Sequence, residues 1–239
     1  MTPSPQSIAI SQSNYIPWKG YFDLIASVDE FVLYDEMQYT RRDWRNRNVI
    51  KTPQGPIWLT IPVAVKGKYL QKISETRVTD TDWAEKHWIA LTRNYGKAPH
   101  FGMYRDRFQA AYENAATMEM LSDINRHFIE TITEMLGIRT QLRTSSEFEL
   151  VEGRTEKLLG ICTQRGAGKY LSGPAAREYM DESLFARAGV LVEYMNYDGY
   201  IEYPQLHPPF DHAVSVLDLL FMTGSEAPRY MKHVAQATG

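Results

Sequence analysis

The chain has one cysteine, Cys162, so no intramolecular disulfide can staple it. It has no apolar run approaching the roughly 18 residues that a membrane-spanning helix needs. Its few His residues and single Cys nowhere fall at zinc-ligand spacing, and "GAGK" (166–169) lacks the outer glycine and the Ser/Thr after lysine of a phosphate-binding P-loop. No metal site is therefore expected. Neither sign of charge is in excess: 26 Lys and Arg against 29 Asp and Glu leave a net −3, which does not point to nucleic acid as a partner. The opening "MTPSPQS" lacks the basic start and apolar core of a signal peptide, so the chain reads as cytoplasmic. No internal repeat or low-complexity linker breaks it, and one continuous domain over 1–239 is expected.

What remains is an ordinary globular composition, 44% apolar and 23% charged, in 239 residues, enough for a sizeable core. "SIAISQ" (7–12) reads as a buried strand, Pro17 as a first helical position, and Tyr21, Leu24, Ile25 and Val28 as one helical stripe. With "EFVLYD" (30–35) as the next strand, residues 7–35 outline a β-α-β unit and hence a parallel sheet. Residues 47–63 read as a hairpin across a Pro/Gly turn. From 80 onward helices take over: one opened by an Asp82/Glu85 capping box, one around Phe108, Ala111, Tyr112 and Ala115, and one capped by Ser122 and stopped by Gly137. Strands are expected within 138–146, 169–173 and 189–197, and helices over 154–165, from "PAAREYM" (174–180), and over 213–222, the last capped by Asp211. The fold class is thus α/β: a parallel-sheet core, with a β-hairpin insertion and a helical middle region, that resembles the nucleotidylyltransferase (Rossmann-like) layout.

Two stretches carry that layout. In "ISQSNYIPWKGYFDLI" (10–25) a strand breaks into a turn and restarts as a helix, a junction whose free N–H groups suit phosphate. Laid on the H-x-G-H turn of nucleotidylyltransferases, it offers Trp18-Lys19-Gly20-Tyr21, which keeps the glycine and loses both imidazoles. "LSGPAAR" (171–177) matches in spacing the second phosphate motif of those enzymes.

The second constellation is "YDEMQYTRRDWRNRN" (34–48). Arg41, Arg42, Arg45 and Arg47 surround Trp44, beside Asp35, Gln38, Tyr39 and Asn48. Guanidinium forks grip phosphate oxygens and an aromatic ring gives a base a face to stack on, so the group suits a diphosphate ligand; a solvated, charge-balanced loop is the plainer alternative. His207 and His212 flank Pro208 and Pro209. His212, set in the first turn of a helix capped by Asp211, would be kept neutral and able to act as a base; a hydrogen-bonded structural role is the alternative. His87, His127 and Cys162 read as structural.

The segments 12–48, "WLTIPV", "YLSG" and "YPQLHPPFDHAVSVLDLLFMTG" together resemble the WbqC-like protein family over nearly the whole chain. Members of that family are encoded among genes for surface polysaccharides such as O-antigen, and the resemblance implies making or decorating an amino sugar, by N-acyl or N-aminoacyl transfer to a dTDP-linked sugar. Such a substrate gives the arginines a diphosphate and the aromatic rings a base. The donor would be a thioester on CoA or on an acyl-carrier protein, or an aminoacyl group; no other cofactor is implied, and self-association stays open. Candidates for catalysis are His207, His212, Asn14 and Tyr15. Candidates for substrate binding are Gln12, Tyr21, Asp35, Gln38, Tyr39, Arg42, Trp44, Arg47, Asn48, Tyr170, Ser172, Gly173, Gln205 and Ser215. A nucleotidylyltransferase using a nucleoside triphosphate, and a non-catalytic sugar-nucleotide-binding scaffold, are the competing readings.

Overall fold

A computed structural model describes residues 6–234, so the first residues of "MTPSPQS" lie outside it. Five parallel strands form the central sheet: β1 (Ser7–Ser11), β2 (Glu30–Leu33), β5 (Gln141–Thr144), β6 (Lys169–Ser172) and β7 (Leu191–Tyr194), in the order β5-β2-β1-β6-β7. Ile10 pairs with Val32 and Ile8 with Tyr170. The chain steps outward from β1 through β2 to β5, then returns to build β6 and β7 on the other side. The reversal falls between β1 and β6, and in open α/β sheets ligands bind beyond the carboxyl ends of the strands at such a point.

Both faces of the sheet are covered, as parallel strands require. Ala9, Phe31 and Leu33 point into a large core with α1 (Lys19–Ala26), α2 (Trp83–Tyr95), α3 (Phe101–Ala115), α4 (Leu121–Met135) and α7 (Val216–Thr223). Ile8, Ile10 and Val32 alternate into a smaller core with α5 (Arg154–Gln164) and α6 (Glu182–Arg187). The expected hairpin is present as β3 (Arg47–Thr52) and β4 (Gly55–Thr60), a separate antiparallel pair turned at Gly55 with φ 111°. Among the described residues no helix is long and apolar enough to cross a membrane.

Tertiary contacts move several helix starts. Pro17 stands ahead of α1, whose cap is Trp18. Asp82 flanks α2 but its side chain caps nothing. Ser122 lies inside α4, because Met120 is held extended by a bridge to Arg77 while the Leu121 N–H donates to the Thr76 carbonyl at 2.9 Å. Ser215, not Asp211, caps α7; Asp211 instead accepts from the Ala213 N–H at 2.7 Å, which leaves His212 outside the helix. "PAAREYM" closes as a short 3-10 turn over Pro174–Glu178.

Candidate functional site

The segment leaving β1 is fixed at nearly every residue. The Ser13 N–H donates to Asp35 Oδ1 at 2.9 Å, and the Ser13 hydroxyl accepts from Asn125 at 3.0 Å. The Tyr15 N–H donates to the Trp44 carbonyl at 3.1 Å, and the Tyr15 carbonyl accepts from Asn48 at 3.0 Å. Ser215 Oγ donates to the Ile16 carbonyl at 2.8 Å and the Val216 N–H to that of Pro17 at 3.0 Å. These bonds hold Ile16 at φ 37°, a left-handed conformation that a β-branched residue adopts only when its surroundings impose it, at a cost of about 1–3 kcal/mol.

Above this turn lies a cleft of about 270 Å³ lined by Asn14, Pro17, Trp18, Trp44, Asn48, His212 and Ala213. His212 packs edge-on against Phe210, ring centroids 4.5 Å apart, and its Nδ1 is buried with no partner. Burial, then the nearby Lys19 ammonium, lower its pKa from the ordinary histidine value, so the ring is neutral at physiological pH. Lys19 opens α1 from a buried position, donating to the carbonyls of Ile201 at 3.3 Å and Tyr230 at 3.1 Å beneath the Tyr200 ring. Burial lowers its pKa to about 8, against the pull of Asp23. Arg45, paired with Asp43 at 3.6 Å, donates to Asn14 Oδ1, which leaves the Asn14 amide nitrogen available as a donor. From the cleft wall, Trp44 leans on Trp58 at 5.2 Å, and the Arg47 guanidinium stacks over Trp58 at 4.0 Å.

Of the residues singled out from sequence, the cleft gathers Asn14, Trp44, Asn48 and His212, with Arg47 reached through Trp58. Arg42 stands exposed beside them at φ 60°, its carbonyl accepting from Arg47. The others lie elsewhere. Tyr15 is fully buried, its hydroxyl bonded to His87 Nδ1 at 2.9 Å and to Tyr112 at 2.8 Å. Tyr21 is buried and donates to the Gln12 carbonyl at 3.0 Å, so both serve the turn from inside. Tyr39 is buried, and Gln38 donates to the Tyr69 carbonyl at 2.8 Å. Tyr170 stacks on Phe185 at 5.3 Å in the smaller core and bonds Ser172, ahead of the turn that Gly173 opens. Gln205 is held by Lys51 at 2.8 Å and by the Asp211 backbone at 2.9 Å, and Ser215 is a buried cap. His207 faces the Asn94 carbonyl at 3.4 Å. Asp35 is buried and also lines a second, polar cleft of about 300 Å³ beyond β2 and β5. Burial raises the Cys162 thiol to about 12, in keeping with an inert residue.

At the junction itself, a side chain on Gly20 would collide with the Trp18 ring. The glycine therefore makes room for an indole packed over the start of α1, where a phosphate-binding junction keeps its N–H groups open. Lys19 and Arg45 were the residues sequence reasoning undervalued; for Lys19 the signal was its apolar setting, "IPWKGYF", which marks a lysine drawn inward.

The WbqC-like protein family matches residues 12–230, nearly the whole chain. The chain belongs to that family. An uncharacterized Mycobacterium tuberculosis (strain ATCC 25618 / H37Rv) protein, Rv1507c, is 51% identical to this WbqC-like chain over 231 residues, covering 97% of this chain and 100% of the other. No solved structure matches. The family match spans the turn, the arginine loop, the hairpin and the His212 segment, so every wall of the cleft lies inside it.

Proposed function

We propose that this WbqC-like protein transfers an acyl group to the amine of a nucleotide-linked amino sugar, with dTDP as the nucleotide, in surface polysaccharide biosynthesis. The observation that carries the reading is His212, a neutral imidazole on the wall of a cleft at the carboxyl end of β1, whose Nδ1 is buried without a partner and whose Nε2 is the nitrogen left open to a ligand. An amine attacking a thioester carbonyl must lose a proton, and a neutral imidazole accepts one. The Asn14 amide, turned by Arg45, offers its N–H to the oxyanion that develops on the carbonyl oxygen. Collapse of that intermediate completes the C–N bond, breaks the C–S bond and releases the thiol, which takes up one proton. Trp44 provides a face for the base, and the exposed Arg42 and half-buried Arg47 lie beside it, where they could meet a diphosphate leaving the cleft.

The test is calorimetric titration with dTDP, a dTDP-amino sugar, CoA and ATP, followed by a turnover assay with an acyl-CoA. The expected result is binding of the dTDP-amino sugar and N-acylation that falls by about 10²- to 10⁴-fold in His212→Ala with binding retained. Binding of ATP with pyrophosphate release would replace this reading by nucleotidyl transfer. Sugar-nucleotide binding without turnover on any acyl donor would replace it by a scaffold.

A further inference from the structure

Charge is distributed unevenly along this chain. Residues 38–72 hold eight Lys and Arg against one acid, Asp43, within a protein of net charge −3. Asp43 is matched by Arg45 and Lys72 by Glu36 at 2.6 Å, whereas Arg41, Arg42, Arg47, Lys66 and Lys68 enter no ion pair among the described residues. The same segment carries five of the eleven large apolar residues left exposed among the described ones. Tyr69 and Leu70 stand out most, at 81% and 78% exposure, side by side in "KGKYLQK" (66–72).

These features form one rim. The Arg41 guanidinium donates to the Val65 carbonyl at 2.9 Å and ties the 66–72 loop to the arginine loop. Arg42 leads through Arg47 and Trp58 to Trp44 at the cleft. Unpaired cations repel one another, and two adjacent apolar side chains in water are unfavourable, so a partner that satisfies both must be anionic and offer an apolar layer beneath its charge. Nucleic acid fits less well: Leu70 and Ile57 have no aromatic face, and the Trp58 ring is already engaged by Arg47 and Trp44. A lipid headgroup region meets both demands, taking lysine ammonium groups at its phosphates and a tyrosine-leucine pair below them.

We propose that residues 38–72 dock on an anionic phospholipid bilayer, with Tyr69 and Leu70 as the inserted tip and the Trp44 edge of the cleft on the docked side. This goes beyond the acyl-transfer reading: it shares Arg42, Arg47 and Trp44 with it, but its tip and its test rest on Lys66, Lys68, Tyr69 and Leu70, which that reading does not use. The test is flotation of the full chain with vesicles of phosphatidylcholine alone and with vesicles containing about one third phosphatidylglycerol. Flotation is expected only with the anionic vesicles, weakened by salt. It should fall roughly fivefold for each lysine removed in Lys66→Ala and Lys68→Ala, and by tenfold or more in the double variant Tyr69→Ser/Leu70→Ser. Thermal unfolding of each variant, matched to the parent, shows that the fold is retained. Absence of flotation with anionic vesicles, or equal flotation of the Tyr69/Leu70 variant, would overturn the proposal; so would binding of an acidic acyl-carrier protein at this rim without vesicle binding. No outcome depends on turnover, so the docking surface can fail while the acyl-transfer reading stands.

Discussion

The floor and the rim of the cleft are built on opposite plans. On the floor, from Ser13 to Pro17, backbone groups find fixed partners, the Tyr15 and Ile16 side chains are fully buried, and Ile16 is held in a conformation it would not choose. On the rim, Trp44 and Trp58 are 41% and 46% exposed, and Arg42 and Arg47 have no carboxylate partner among the described residues. The floor therefore fixes shape at the expense of tolerance, while the rim contributes little to stability and is free to serve a ligand. Substitutions should separate accordingly: floor variants lose fold, rim variants lose affinity.

The largest effect is expected at Tyr15→Ala. The change empties a fully buried ring site and strips His87 and Tyr112 of a hydrogen-bond partner. About 4 kcal/mol of unfolding free energy should be lost, measured by chemical denaturation. A loss under 1 kcal/mol would mean that the floor is not over-determined as described.

Next comes pH. Burial of His87, against a hydrogen bond with the Thr60 backbone, lowers its pKa to about 4 from the usual histidine value near 6.5. Because the folded state holds the neutral ring, this contribution is intact above pH 6.5 and is lost as pH falls towards 4, about 3 kcal/mol in all. His212, shifted in the same direction, adds to the slope, whereas Asp35 and Asp218, raised by burial, act in the opposite sense. Denaturation between pH 7 and 5 should therefore show falling stability, and His87→Asn should flatten that slope where His212→Asn flattens it less.

How legible was this in the sequence? The strands and the hairpin were, because alternating or continuous apolar runs such as "SIAIS" and "EFVL" state their own burial. Helix starts were less so: Ser122 and Asp211 have the chemistry of caps, but a bridge at Met120 and the Ser215 contact with Ile16 decide where α4 and α7 begin. For the site, residue type alone placed Asn14, Trp44 and His212 among the candidates. It failed with tyrosines, since Tyr15, Tyr21 and Tyr170 are polar-tipped in a sequence but buried here with hydroxyls satisfied internally. It also weighted the four arginines alike, although Arg45 is drawn inward to orient Asn14, Arg47 is half-buried over Trp58, and Arg42 stays outside. Such distinctions are made by segments far apart in the chain, and no local pattern records them.

At the rim, Arg47→Ala should weaken binding of a dTDP-amino sugar by about 1.5–3 kcal/mol while stability moves by no more than about 0.5 kcal/mol. Arg42 sharpens the contrast further, because there the two quantities should move in opposite directions. Its φ of 60° is left-handed, which disfavours any side chain with a Cβ, and its exposed guanidinium enters no ion pair among the described residues that would compensate. Arg42→Gly should relieve that conformation and stabilise the fold by about 0.5 kcal/mol, the gain being reduced by the greater freedom of glycine in the unfolded chain. The same variant should bind the sugar nucleotide more weakly, as Arg42→Ala does without the stabilisation. A variant that melts higher and binds less would show that the strain at Arg42 is kept for the ligand, whereas parallel loss of both would return Arg42 to the structural frame.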